Sequence, residues 1–252
     1  MAESDFVGNP PLGPADEDFA SATTPLARWG ARFFVVNEGG YQGPVPSTAM
    51  LCPGALRIRA GQPGDDAGYA WFDWGTVVDQ SGPFVYQPVQ GNFAIEVDVE
   101  VESTGLDPNY SGAGIVVRNP GQLNHFVYYN LSVRGDSQLA TQVRLRDPSG
   151  TAGMGRSFTM DSPEVATAWR GRLLVCRIGG SFSFHRRLDD EASPQYEGAT
   201  SGDLNFGTVL DVEVGLSAHW FEHDGTPFEG VFRTVRFHPV PPSHAACTAL
   251  LE

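Results

Sequence analysis

Asn92-Phe93-Ala94-Ile95-Glu96-Val97-Asp98-Val99-Glu100-Val101-Glu102 is the stretch whose reading decides the fold. Ile95, Val97, Val99 and Val101 alternate with Glu96, Asp98, Glu100 and Glu102. Successive side chains of a strand point to opposite faces, so this run has one apolar face and one acidic face. A helix would scatter both sets around its circumference. The same two-residue period recurs outward from this strand, broken by Gly, Pro, Asn and Asp. It predicts strands near 31–37, 55–60, 69–75, 83–89, 112–118, 124–133, 139–146, 209–218 and 228–238. Residues 170–188 read as a hairpin turning at Gly179-Gly180, with Phe182 and Phe184 on one face. A helical turn finds room only at 163–168.

Composition agrees with an all-β chain. Of 252 residues, 41% are hydrophobic and only 18% are charged, with 30 Gly and 19 Pro. That length suits one β domain, a two-sheet antiparallel jelly-roll sandwich over 18–238. Residues 1–17 read as an acidic, Pro-rich arm, and 239–252 as a tail leaving the last strand. The net charge is −14 and all sixteen basic residues are arginine. Such a surface repels phosphate backbones and anionic lipid, so neither nucleic acid nor a membrane is an expected partner. Three cysteines, Cys52, Cys176 and Cys247, cannot all pair, and Cys176 in its apolar strand reads as a buried thiol rather than part of a disulfide framework. The first residues lack the apolar core of a signal peptide, which points to a cytoplasmic protein, with an extracellular or particle-associated place as the alternative.

Several further motifs resemble the concanavalin A-like lectin/glucanase superfamily. They run in order along residues 18–238: Asp18-Phe19, Leu26 and Trp29, then Pro53 to Ile58. Tyr69-Ala70-Trp71-Phe72-Asp73-Trp74-Gly75 follows, with Asp79, Gly82 to Gln87 and Val89 to Phe93. Gly114 to Arg118, Trp169 to Val175, Gly180 to Phe184 and Val214 to Ala218 complete the set. The middle group is most similar to the regulation-of-enolase-protein-1-like branch of laminin-G-like sandwiches. One departure is Leu188-Asp189-Asp190-Glu191, where that branch carries Asp-Gly-x-x-Trp. The resemblance implies a concanavalin A-like jelly roll.

Glu96-x-Asp98-x-Glu100 also resembles the pattern of laminarinase-type retaining glucanases, where the first Glu is the nucleophile, the last the acid/base and the Asp their neighbour. Retaining hydrolysis needs carboxyls about 5–5.5 Å apart. Residues i and i+4 of a strand stand roughly 13 Å apart, so the side chains would have to lean together. The simpler reading is a wet strand face, with Glu96, Asp98 and Glu100 accessible. His219-Trp220-Phe221-Glu222-His223 spells an inverted zinc-protease motif, but that site needs a helix and this segment reads as strand and turn. The Gly-rich run 150–157 opens no helix, which argues against a phosphate cradle.

Aromatic residues are plentiful, and flat rings beside Asp, Asn and Arg suit sugars. The expected activity is therefore non-catalytic binding of a carbohydrate or other surface ligand, through Trp71, Asp73, Tyr86, Glu96, Asp98, Arg118 and Tyr128. A retaining glycosidase using Glu96, Asp98 and Glu100 is the second reading. A structural component docking protein partners through its termini is the third. No cofactor is expected, although a calcium ion would find oxygen donors in Glu17, Asp18 and Asp79.

Overall fold

A computed structural model describes residues 10–20, 28–37, 40–43, 48–60, 71–74, 77–80, 82–102, 111–122, 125–133, 139–146, 152–159, 168–200, 206, 209, 211–219 and 228–252. Among the described residues, seventeen strands form two large antiparallel sheets and one small hairpin. The strands are β1 (Gly30–Asn37), β2 (Gly40–Gly43), β3 (Thr48–Cys52), β4 (Ala55–Ala60), β5 (Trp71–Trp74), β6 (Val77–Gln80), β7 (Gly82–Gln90), β8 (Phe93–Glu102) and β9 (Ser111–Arg118). They continue as β10 (Phe126–Val133), β11 (Leu139–Arg146), β12 (Ala152–Thr159), β13 (Ala168–Ile178), β14 (Ser181–Leu188), β15 (Gln195–Ala199), β16 (Asp211–His219) and β17 (Phe228–His238). In β2, β5, β6, β12 and most of β1, the backbone alone is described.

One sheet runs β12-β11-β10-β9-β16-β7-β1-β2, and the other runs β15-β14-β13-β8-β17-β4-β3. Their apolar faces meet in a single core. Ile95, Val97, Val99 and Val101 of β8 lie there with Leu173 and Val175 of β13 and Phe182 and Phe184 of β14. Ile115, Val117, Val127, Tyr129, Leu131, Val214 and Leu216 come from the opposing sheet. This is the two-sheet jelly-roll sandwich that the alternation implies. The β13–β14 hairpin turns between Ile178 and Ser181, and Gly179 has φ +64°. Gly180 does not share that conformation, so only the first turn position requires glycine.

Residues 13–20 and the C-terminal residues are tied to the sandwich. Glu17 bridges to Val235 of β17, Gly13 N donates to Pro88 O at 3.1 Å, and the buried Gln87 exchanges hydrogen bonds with the Ala15 backbone. Glu17 Oε1 and Asp18 Oδ1 accept from the backbone N–H groups of Phe19 and Ala20. The Asp79 side chain lies outside the described residues.

Residues beyond β17 do not leave the domain. They fold back as helix α1 (His244–Cys247), capped by Ser243, and a 3-10 turn (Thr248–Leu251). Cys247 is bonded to Cys176 of β13, and both are buried with Leu174, Ala94 and Leu251 on the outer face of the seven-stranded sheet. The expectation of an unpaired Cys176 is thereby corrected. An odd cysteine count excludes complete pairing only; Cys52 is the remaining thiol. The helical turn sits here, while 161–167 lie outside the described residues.

His185 is packed under this segment. Burial lowers its pKa to about 4, and neighbouring His244 adds to the effect. An ordinary imidazole titrates near 6.5. Between those values the unfolded chain binds a proton that the folded chain does not, so stability falls as pH drops through that window. The urea midpoint is expected to decline from pH 7 to 5, and His185→Gln to decline less over the same interval.

Candidate functional site

Glu96, Asp98 and Glu100 of β8 lie on the outer face of the seven-stranded sheet. Each is bound by a cation from a neighbouring strand. Asp98 takes a two-pronged contact from Arg170 of β13, at 2.9 and 2.5 Å. That hydrogen bond raises the pKa of Arg170, keeping the guanidinium charged. Glu100 accepts from Arg233 of β17 at 2.5 Å. Glu96 is pulled both ways, to Arg172 of β13 at 3.4 Å and His238 of β17 at 2.7 Å.

Glu96 is only 2% exposed, contrary to the expected wet position. Its strand parity is as expected, since Glu96, Asp98 and Glu100 all face away from the core. The outer face at Glu96 is covered, however. Arg172 also donates to Leu251 O, placing the C-terminal segment beside it. The two glutamates of the proposed retaining pair thus hold separate cations, with Glu100 drawn towards β17. Nothing in this arrangement turns one carboxyl towards the other. Glu96→Gln is expected to cost about 1–3 kcal/mol, as for buried hydrogen bonds to charged groups. Glu100→Gln, beside a half-exposed Arg233, should stay within about 1 kcal/mol. Urea midpoints of the two variants check this ordering.

A different set of residues gathers on the outer face of the eight-stranded sheet. The register brings Tyr86, Gly215, Val116, Tyr128 and Arg144 into one row across β7, β16, β9, β10 and β11. The next row is Phe84, Ser217, Gly114, Asn130 and Gln142. Beyond it lie His219, Gly112 and Ser132, and on the far side Glu213, Arg118 and Phe126. Phe84 and Tyr86 stack at 5.2 Å, and the Arg118 guanidinium sits over Phe84 at 5.4 Å. Tyr128 Oη is 2.9 Å from His219 Nδ1, and the two rings meet edge to face. Burial raises the pKa of Tyr128 well above its ordinary value, so the phenol keeps its proton. Asn130 Nδ2 donates weakly to Gln142 O at 3.4 Å. Its Oδ1 is buried and has no hydrogen-bond partner among the described residues.

This face is mostly enclosed, with Tyr128 and Asn130 at 0% and Tyr86 and Gln142 at 5% exposure. Two glycines keep it flat. A Cβ on Gly114 would stand 2.1 Å from Tyr129 O, and one on Gly215 2.0 Å from Val85 O. The β5–β6 hairpin lies against β1 and β11, which stand on either side of β10, β9, β16 and β7.

Of the residues singled out for ligand binding, Tyr86, Arg118 and Tyr128 therefore share one face. Glu96 and Asp98 lie on the other sheet, facing away. Trp71 and Asp73 belong to β5, whose side chains are outside the described residues. Asn130, Gln142 and Ser217 were not singled out in the sequence, and His219 was weighed only within a metal motif. The motif's remaining residues, 220–223, are outside the described residues.

The architecture has counterparts among solved structures. The chain matches lectin I-B4 from Griffonia simplicifolia with a TM-score of 0.51 and 14% identity, covering 76% of this chain and 90% of the lectin. The fold is the concanavalin A-like sandwich. Bacteroides ovatus xyloglucan PUL GH43B matches the concanavalin A-like sandwich at a TM-score of 0.59 and 16% identity, over 90% of this chain. The chain spans only 40% of that protein's length. A functionally unknown protein from Saccharomyces cerevisiae matches at 0.53 and 16%, covering 78% of this chain and 93% of its own. At such identities the likeness concerns fold alone. No protein-family model matches the chain, and no curated protein sequence does. Among the described residues, no helix is long and apolar enough to cross a membrane.

Proposed function

We propose that this concanavalin A-like sandwich is a non-catalytic carbohydrate-binding protein that uses the outer face of its eight-stranded sheet. The observation carrying the reading is the Asn130 carboxamide. Its Oδ1 is a buried acceptor lacking a described partner, beside Tyr128 and Gln142, on the face that carries Phe84 and Tyr86 three strands away. Buried polar atoms are normally hydrogen-bonded, and each exception calls for a partner. In an oligosaccharide, a hydroxyl of one sugar would donate to Asn130 Oδ1 while the ring face of another lies by Tyr86, about three strand spacings away. Entry would run past Tyr86 and Gln142, which retain slight exposure. The resemblance in fold to a lectin and to a GH43 protein accords with this class of ligand, and favours no particular sugar.

The glycosidase reading is less favoured because Glu96, Asp98 and Glu100 are each paired with a different arginine. A glycan array run beside a reducing-sugar assay separates the readings. Retention of a glycan without release of reducing ends is expected. Release of reducing ends would restore the enzyme. Neither signal, together with a large self-assembled species on sizing, would favour the structural role.

A further inference from the structure

A second cluster lies on the outer face of the seven-stranded sheet, next to the Glu96 contacts, where α1 packs on β13 and β14. Cys176 Sγ, Cys247 Sγ and a ring nitrogen of His185 all fall within 4.8 Å of one another. All three residues are buried. His185 Nε2 is 2.9 Å from Ser183 Oγ, and Nδ1 is 2.9 Å from Thr248 Oγ1. Ser183 Oγ also meets His244 Nδ1 at 2.9 Å.

A structural disulfide needs no imidazole beside it. Two sulfurs and a ring nitrogen at this spacing are what a thiophilic divalent cation selects. We propose that, once the Cys176–Cys247 bond is reduced, Cys176, Cys247 and His185 form a zinc site. The C-terminal segment is then held to the sheet by either a disulfide or a metal ion.

The backbone admits both states. The Cα–Cα separation is 6.6 Å. Two thiolates at about 2.3 Å from a shared tetrahedral zinc stand about 3.8 Å apart, so side-chain movement opens the pair without moving β13. The hydroxyls supply the outer support that metal-bound imidazoles use. One of Ser183 and Thr248 keeps its hydrogen bond and orients the ring while the other nitrogen turns to the ion. Three protein ligands leave the fourth position to water. His244 stands beside the cluster through Ser183.

The chemistry balances with a thiol or phosphine reductant. Two electrons break the S–S bond: a dithiol supplies them with its two thiol protons and leaves as its disulfide, or a phosphine supplies them, takes the oxygen of a water molecule whose two protons complete the cysteine thiols, and leaves as its oxide. Zinc then forms two Zn–S bonds and releases both thiol protons to solvent. None of this depends on carbohydrate binding.

The test uses the full chain, reduced with a phosphine that is then removed, and titrated without oxygen with Co2+ as the spectroscopic stand-in for Zn2+. The expected result is a one-to-one complex with thiolate-to-cobalt absorption and tetrahedral visible bands, displaced by Zn2+. Unreduced chain should give none. His185→Gln, which retains both cysteines, should bind at least tenfold more weakly; Cys176→Ser should lose the thiolate bands. Should Cys176→Ser not fold, His185→Gln decides alone, with its fold checked by far-ultraviolet dichroism. No thiolate–cobalt bands in reduced wild type, or equal affinity in His185→Gln, overturns the site.

Discussion

Replacing Cys176 and Cys247 together by serine should lower the unfolding free energy by about 4 kcal/mol. The bond spans 71 residues, and a loop of that size removes roughly this much when closed in the unfolded chain. The sandwich itself should survive, because the main core of Val97, Val99, Leu173 and Val175 does not include either cysteine. The lost contacts are those of the smaller cluster of Ala94, Leu174 and Leu251. A lowered urea midpoint with an unchanged strand spectrum is the expected result. An unchanged midpoint under oxidising conditions would mean that the C-terminal segment contributes nothing to stability.

Glu213→Gln should cost a similar amount in the eight-stranded sheet, at about 3–5 kcal/mol. Arg118 and Glu213 face each other in register across β9 and β16, and Arg118 Nε donates to Glu213 Oε2 at 2.9 Å. Their side chains are 0% and 6% exposed. Removing one member of a buried pair deprives the other charge of that ion partner, whereas replacing both by apolar groups is often near neutral. The double substitution Arg118→Met with Glu213→Leu should therefore recover most of the loss. Urea unfolding of the single and double variants gives the coupling directly. Additive losses would show that the two residues act independently.

Much of the fold is legible because burial imposes a two-residue period. Residues 139–146 and 228–238 match β11 and β17, and the β8 alternation assigns its core side chains correctly. The elements that escaped are β2, β3, β6, β12 and β15. Four of them have only four or five residues, too few to display a period, and β12 is a Gly-containing edge strand whose side of the sheet meets no neighbour. The covering of Glu96 was hidden for another reason. Alternation tells which face a residue takes, not what later packs on that face. Here a segment about 150 residues downstream does so, tied through a cysteine pair that an odd count had disguised.

The candidate site was half visible for the same cause. Parity along β10 joins Tyr128 to Asn130, since i and i+2 share a face. Joining them to Tyr86, Ser217, His219 and Gln142 requires the register of four other strand pairs, which local sequence does not contain. Glu96 and Asp98 look like natural partners of those aromatics as residue types. They lie on the opposite outside of the sandwich because β8 belongs to the other sheet.

The most direct test of the binding face compares substitutions on the two outsides of the sandwich. A glycan retained by the wild type is titrated calorimetrically into Asn130→Ala and Tyr128→Phe, and into Asp98→Asn and Glu100→Gln, each first confirmed folded. The eight-stranded sheet predicts at least tenfold weaker binding for the first pair and unchanged binding for the second. Intact affinity in Asn130→Ala and Tyr128→Phe, with loss in Asp98→Asn or Glu100→Gln, would contradict it.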